Sequence, residues 1–396
     1  MRARVGQERL AETVDLLSRL VAFDTTSHRS NLDLIRWVAE LLSEAGASVS
    51  VLPSPDGAKA NLFATLGGAR DGGVVLSGHT DVVPAHAPDW RSGPFELTRR
   101  GERLHGRGTC DMKGFIACAL AFARGFDADR SAPPIHIALS YDEELGCLGV
   151  PGIVSEFGRA LPLPVLAIVG EPTGMRPITA HKGYRAFETN FTGVPAHSSR
   201  PGDGISAIRI ANAFMTALDR LAGELSSGPS VAEMEPPCAT VNVGRIEGGL
   251  ATNVVAPQCR ILWELRPVPG TDVDAVLRRL DALVAEALPR DLASEATAAR
   301  IANRQTAEEP VFTDRQGAAY RLARELSGIA MEETAAYGSE AGFFRQAGLS
   351  TVIIGPGDVD QAHRIDEYIE MDDLAAGLAF LDALGGRLRT KGLSSI

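Results

Sequence analysis

Long apolar runs are the first thing this chain lacks. No stretch of its 396 residues nears the roughly eighteen that would span a bilayer, so no membrane-spanning helix is expected. Cysteine is scarce: Cys110, Cys118, Cys147, Cys238 and Cys259 form no CxxC pair, and five is an odd number. A disulfide framework or a thiolate zinc site is therefore not expected, and the five read as small buried residues. Basic residues are too few to hold a polyanion: 39 Lys and Arg face 50 Asp and Glu, a net charge of -11, which argues against a nucleic-acid partner. No GxGxxG follows a strand and no GxxxxGK[ST] exists, which argues against a nucleotide-dependent enzyme. Internal repeats and low-complexity segments are also missing. The N-terminal "MRARVGQERLAETVDLLSRLVAF" has no clean apolar core of a signal peptide and reads as an amphipathic helix, with Leu10, Val14, Leu17, Leu20 and Val21 on one stripe. A cytoplasmic protein is expected.

What is present is a chain with 45% hydrophobic and 22% charged residues, enough for a large core and long enough for two domains. "VVLSG" (74–78), "IHIALSY" (135–141), "LAIVG" (166–170) and "TVIIGPG" (351–357) read as strands apolar on both faces, with helices at 31–46 and 114–126. That alternation predicts an α/β fold with a mostly parallel, doubly wound sheet covered by helices. The middle of the chain differs. "YRAFETNFTG", a helix near 204–224, "ATVNVGRIEGG", "QCRILWELRP", a helix near 272–288 and "ATAARIAN" give the order βαββαβ. This predicts an inserted domain at 182–308 between two parts of a catalytic domain, 1–181 and 309–396.

The chemistry collects after the buried strands. His79 and Asp81 follow the first, Asp142, Glu143 and Glu144 the second, Glu171 the third, and His363 comes eight residues past Gly355. "GRGTCDMKG" delivers Asp111 just before a helix. Groups beyond the carboxyl ends of parallel strands line one crevice. Any one of these acids could be a helix cap or a turn residue, Asp111 included. Together, Asp111, Glu144 and Glu171 would repel one another or stay protonated. Three carboxylates and two imidazoles suit two divalent cations sharing one acid, and the absence of thiolate suits zinc, with cobalt or manganese as replacements. Adjacent Glu143 and Glu144 point in different directions, so one can bind metal while the other handles a proton.

The segments "SGHTDVVP", "GRGTCDMKG", "SYDEELGCLG", "VGEPTG" and "GPGDVDQAHRIDEYI" resemble, in order and spacing, those of the dinuclear zinc aminoacylase and carboxypeptidase family of metallopeptidase-like amidohydrolases. The resemblance runs over nearly the whole chain. It implies that His79 and Glu171 hold one metal, Glu144 and His363 the other, and that Asp111 bridges them. Asp81 would then orient His79, and Glu143 would be the general base. The inserted domain is similar to a lid that also dimerises, which implies a homodimer. "GVPAHSSRPGDGISAI" implies an oxyanion-stabilising His197; "GGLATNVVAPQCRILWELRPVPG" implies that Asn253 and Arg266 grip a small N-acyl amino acid. "TAHKGYRAFETNFTG" and "AAYGSEAGFFRQAG" resemble the branch acting on Nα-acetyl-L-ornithine, with Glu340 facing its cationic side chain and Ser339 its carboxylate. A succinyl-diaminopimelate desuccinylase, a general acyl-amino-acid deacylase or a dipeptidase is the alternative within the family. A non-catalytic dimeric binding protein on the same fold is the alternative outside it.

Overall fold

The computed structural model describes residues 6–126, 132–293, 297 and 300–393. The chain divides into two units. One comprises Met1–Ala180, Phe312–Thr334 and Ser339–Ile396; the other comprises His181–Val311 and Ala335–Gly338.

The first unit is built on a twisted sheet whose centre is parallel. Strand Val74–His79 lies between Ile135–Ser140 and Leu166–Val169, parallel to both, and Ser350–Ile353 runs parallel to Leu166–Val169 on its far side. All are buried along their whole length apart from Ser350, which is why they read as continuous apolar runs. The edges are antiparallel. Ser48–Pro53 and Ala60–Leu66 form a hairpin whose second strand pairs with Ile135–Ser140, and Ile178–His181 pairs antiparallel with Ser350–Ile353. A connection as short as residues 54–59 cannot carry a parallel crossover, so the hairpin reverses the direction.

Helix Lys113–Gly125 is buried from Lys113 to Ala123 because Gln7–Ala22 and Met371–Lys391 both pack against it. A Cβ on Gly170 would meet the Phe115 ring of this helix at 2.1 Å. Only glycine lets the strand end there, one residue before Glu171.

The second unit has the order βαββαβ: Tyr184–Thr192, Ala207–Leu225, Thr240–Gly248, Gln258–Arg266, Val273–Ala287 and Ile301–Glu309. Of the stretch expected as the last strand, residues 296 and 298–299 lie outside the described residues, and the strand begins at Ile301. The sheet is antiparallel, with Thr240–Gly248 and Ile301–Glu309 at its two edges. Strand Gln258–Arg266 alternates, burying Cys259, Ile261, Trp263 and Leu265 in one core with Phe214 and Leu221 of the first helix and Leu280 and Leu283 of the second. Among the described residues, no helix is long and apolar enough to cross a membrane. All five cysteines are free thiols.

Candidate active site

Because the central strands are parallel, their carboxyl ends share one edge of the sheet, and the polar residues after them converge there. His79 closes its strand with its side chain buried, its Nε2 3.0 Å from Asp111 Oδ1. The other Asp111 oxygen, Oδ2, lies 3.4 Å from His363 Nε2, which is 3.0 Å from Glu144 Oε2. Among the described residues, two groups of potential ligand atoms lie within 4.8 Å of one another: His79, Asp111 and Glu171, and Asp111, Glu144 and His363. Asp111 belongs to both. His363 is the exposed member of the set, carried on a loop where its own backbone is left-handed at φ 62°.

Asp142, Glu143 and Glu144 take three different partners. Asp142, at φ 55°, turns the chain and places its Oδ1 2.5 Å from Lys59 Nζ. Glu144 meets His363. Glu143 belongs to neither ligand group; its Oε1 accepts from Cys147 Sγ at 3.6 Å, and its main-chain oxygen accepts from the N–H groups of Gly146 and Cys147, both at 2.8 Å. The turn thus keeps the two glutamates apart although they are adjacent in sequence.

Asp81 ties this turn to His79. Its Oδ1 accepts from the Glu143 N–H at 3.0 Å, and its Oδ2 from the Glu144 N–H at 3.3 Å and from Ser27 Oγ at 2.7 Å. His79 Nδ1 lies 2.9 Å from the Asp81 main-chain oxygen and 3.5 Å from its Oδ1. Asp81 therefore orients the imidazole chiefly through its backbone, while its carboxylate positions the two glutamates.

The electrostatics show what such crowding costs without a cation. Burial drives the Glu171 carboxyl well above its ordinary pKa, and the charge on Asp111 adds to the rise. Glu144 is also raised by burial, against the pull of His363. Burial disfavours charge on His79, but Asp111 and Asp81 outweigh it and hold that imidazole well above its usual value. Asp111 and Glu144 lift His363 to about 10. Asp111 itself stays below the carboxylate range, because its two imidazole partners overcome the burial penalty. For Glu171, Glu144 and both imidazoles the shift favours the protonated form, the direction that crowded carboxylates impose. Glu171 Oε1 is buried with no hydrogen-bond donor, although such an atom is normally satisfied. An oxygen lone pair without a donor, beside the His79 imidazole and the Asp111 carboxylate, fits one divalent cation, and the group of Asp111, Glu144 and His363 fits a second.

The remaining expected residues fall in two places. His197, Asn253 and Arg266 lie in the second unit. The His197 and Asn253 loops adjoin: His197 bridges to Val254, and the Ser198 N–H donates to the Asn253 carbonyl at 3.1 Å. His197 Nδ1 accepts from the Ser199 main-chain N–H at 3.1 Å, which leaves Nε2 as the N–H of the neutral ring. The Arg266 guanidinium lies 4.1 Å over the Tyr184 ring, and its Nε donates to Glu264 at 3.2 Å.

Ser339 and Glu340 belong to the first unit. Both are buried. Ser339 Oγ accepts from the Ala341 N–H at 3.2 Å at the start of helix Ala341–Gln346, and Glu340 Oε2 accepts from Ser77 Oγ at 2.8 Å. Through Ser77 the Glu340 carboxylate meets central strand Val74–His79.

Sequence reasoning missed Ser27, Cys147, Arg107 and Glu367. Arg107 and Glu367 form a buried ion pair at 2.7 Å beside the Asp111 loop. The acid-rich "HRIDEYI" was the one available hint, and it was absorbed by His363.

The sequence profile of the peptidase family M20/M25/M40 matches residues 75–385. The chain is 38% identical to an acetylornithine deacetylase of Myxococcus xanthus over 364 residues, covering 90% of this chain and 92% of that protein. It is 34% identical to an acetylornithine deacetylase of Proteus mirabilis, covering 88% of each. Among solved structures, the fold is shared with an M20 family metallo-carboxypeptidase from Sulfolobus solfataricus, at a TM-score of 0.73 and 15% identity over 94% of this chain and 98% of that one. It is shared also with a dinuclear metal-binding M20 peptidase from Bacillus subtilis, at a TM-score of 0.68 and 14% identity over 97% of this chain and 99% of that one.

Proposed function

Because this chain belongs to peptidase family M20/M25/M40 and is a hydrolase of linear amide bonds, we propose that it removes the acetyl group from Nα-acetyl-L-ornithine, giving L-ornithine and acetate. The observation that carries the hydrolytic reading is the position of Glu143, next to a ligand residue yet outside both ligand groups. The relatives named above support the substrate.

Under this reading His79 and Glu171 hold one divalent cation, Glu144 and His363 the other, and Asp111 both. Zinc is the ion we propose, since the ligands are nitrogen and oxygen without thiolate. Such a pair, when bound, polarises an acyl carbonyl and makes water acidic enough to attack near neutral pH. The protein's own groups do the rest. Glu143 takes a proton from the attacking water and passes it to the leaving α-nitrogen, so that acetate and a free amine depart. Asp81 keeps His79 and both glutamates in register. His197 donates its Nε2–H to the developing oxyanion. Asn253 and Arg266 bind the substrate carboxylate, Arg266 through its planar fork. We propose with it a place in arginine biosynthesis and in the cytoplasm, as the acetylornithine deacetylase relatives support for the reaction. Among the described residues, Thr240–Gly248 and Ile301–Glu309 form the edges of the second unit's sheet, and we propose that such an edge pairs with its twin in a two-fold dimer.

Amine release by the zinc-loaded protein tests this, with Nα-acetyl-L-ornithine, N-succinyl-diaminopimelate and neutral acetyl amino acids compared. Preference for acetylornithine, lost on chelation, is expected. Equal turnover of neutral acetyl amino acids would keep the amide hydrolase and discard ornithine, an outcome that the burial of Glu340 makes worth checking.

A further inference from the structure

The bridging acid and the exposed histidine reach the crevice on different loops. Asp111 ends the segment 106–111, and His363 lies on the segment that leads into strand Tyr368–Glu370. One side chain joins the two. The Glu367 carboxylate is buried and takes four donors from the Asp111 loop: Arg107 Nη1 at 2.7 Å and the Gly108 N–H at 3.0 Å on Oε2, and the N–H groups of Cys110 at 2.8 Å and Asp111 at 3.1 Å on Oε1. The Glu367 main-chain oxygen accepts a fifth hydrogen bond, from Gly106 N–H at 3.0 Å. Arg107 is itself fixed, buried with its guanidinium 5.0 Å from the Trp90 ring centroid.

A carboxylate that gathers three main-chain N–H groups of one short loop dictates the path of that loop, because each buried N–H would otherwise be left without an acceptor. The path matters here. The Asp111 N–H is among the three, and its side chain must present one oxygen to each ligand group. Glu367 is also four residues from His363, the ligand with the least support from surrounding protein. We propose that Glu367 is a positioning residue that sets the spacing of Asp111 and His363, and so governs the metal held by Asp111, Glu144 and His363. The inference rests on the two-metal reading above. The other group leans on it less, since His79 and Glu171 are buried at the ends of central strands.

The test is Glu367→Gln in the full chain, stripped of metal and titrated with zinc against a chromophoric chelator, with folding checked by circular dichroism. Glutamine keeps the size and one acceptor oxygen but offers an NH2 to donors that need an acceptor. The folded variant is expected to bind a first zinc ion as the wild type does and a second about 10- to 100-fold more weakly, the range typical when a residue that orients metal ligands is removed. A role confined to stability would lower the thermal midpoint and leave the ratio of the two zinc affinities unchanged; that result overturns the proposal. Arg107→Lys, which retains the charge but not the fork, provides the same readout if the first variant does not fold. Its second zinc affinity should fall by a smaller factor, and an unchanged ratio again overturns the proposal. A wild type that binds fewer than two ions would defeat the two-metal reading along with it, whereas two ions bound equally well by wild type and variant would defeat the positioning role alone.

Discussion

The crevice of the first unit and the helix-covered sheet of the second place their charges in opposite ways. In the first, His79, Asp81, Arg107, Glu171, Glu340 and Glu367 are all buried, and hydrogen bonds from backbone and serine groups hold several of the acids. In the second, the ion pairs Arg209–Asp291, Arg220–Glu286 and Arg279–Glu224 lie on the surface, over a core of Phe187, Phe191, Phe214 and Trp263. Buried charge is costly unless compensated, so its concentration in one crevice marks where stability yields to chemistry. Apart from buried His181, Lys182 and Glu309 at the two ends of its main segment, the second unit shows the ordinary arrangement, in which apolar packing supplies stability and exposed ion pairs add little.

Four experiments would break or sharpen this contrast. The largest effect is expected for Glu143→Gln: turnover should fall by about 10²–10⁴-fold while zinc content stays at the wild-type value. Near-normal turnover, or loss of zinc, would mean that the two glutamates do not divide their work as proposed. Next is Trp263→Ala. This side chain stacks on Phe187 at 4.3 Å and donates to Thr189 at 2.9 Å. Its loss should destabilise the second unit by about 3–5 kcal/mol in denaturant titrations, with zinc affinity unchanged.

The third experiment compares pH responses, which should run in opposite directions. Burial pulls the His181 imidazole of the second unit down to about 4. A group with a depressed folded pKa stabilises above its unfolded value, near 6.5, and that stabilisation is lost as pH falls toward about 4; the limit is about 3 kcal/mol. His181→Gln should flatten that acid limb. In the metal-free first unit, His363 is raised to about 10, so its contribution is present below about pH 6.5 and disappears as pH rises through 10. Zinc loading should abolish this alkaline decline, because the bound imidazole is neutral. A metal-free protein whose stability rises over that range would contradict the charge balance described for the crevice. The smallest effect belongs to Arg279→Ala, which removes an exposed pair with Glu224 and should leave the thermal midpoint unchanged within error.

Much of this was legible locally. The runs at 74–78, 135–141 and 166–170 correspond to the central strands, and the alternation in "QCRILWELRP" to a half-buried antiparallel one. Other elements left weak signals. The three-residue strands Thr98–Arg100, Arg103–His105 and Tyr368–Glu370 are too short for periodicity to register. In the site, the residues just past strand ends could be nominated because a parallel sheet sends them to one edge. Glu367 could not, since its donors at 107–111 are some 256 to 260 residues away and pair mostly through backbone N–H groups, which carry no residue signature. Glu340 poses the opposite case. Its neighbours in "GSEAGFF" suggested a substrate contact, but whether a carboxylate faces substrate or the Ser77 hydroxyl depends on what packs above it.

The residue types and their order therefore determined the α/β architecture, the inserted βαββαβ unit and the set of acids and histidines from which a two-metal site can be assembled. These follow from hydrophobic periodicity and from the rule that parallel strands share one functional edge, both readable within a few residues. Only the tertiary structure decided which oxygen meets which nitrogen: Asp142 on Lys59, Glu144 on His363, Asp111 between two histidines, Asp81 on the backbone of both glutamates, and Glu367 on the backbone of the Asp111 loop. Those pairings join segments far apart in sequence. They are selected by distances of a few tenths of an ångström and by the cost of leaving a buried polar atom without a partner, neither of which a linear pattern records.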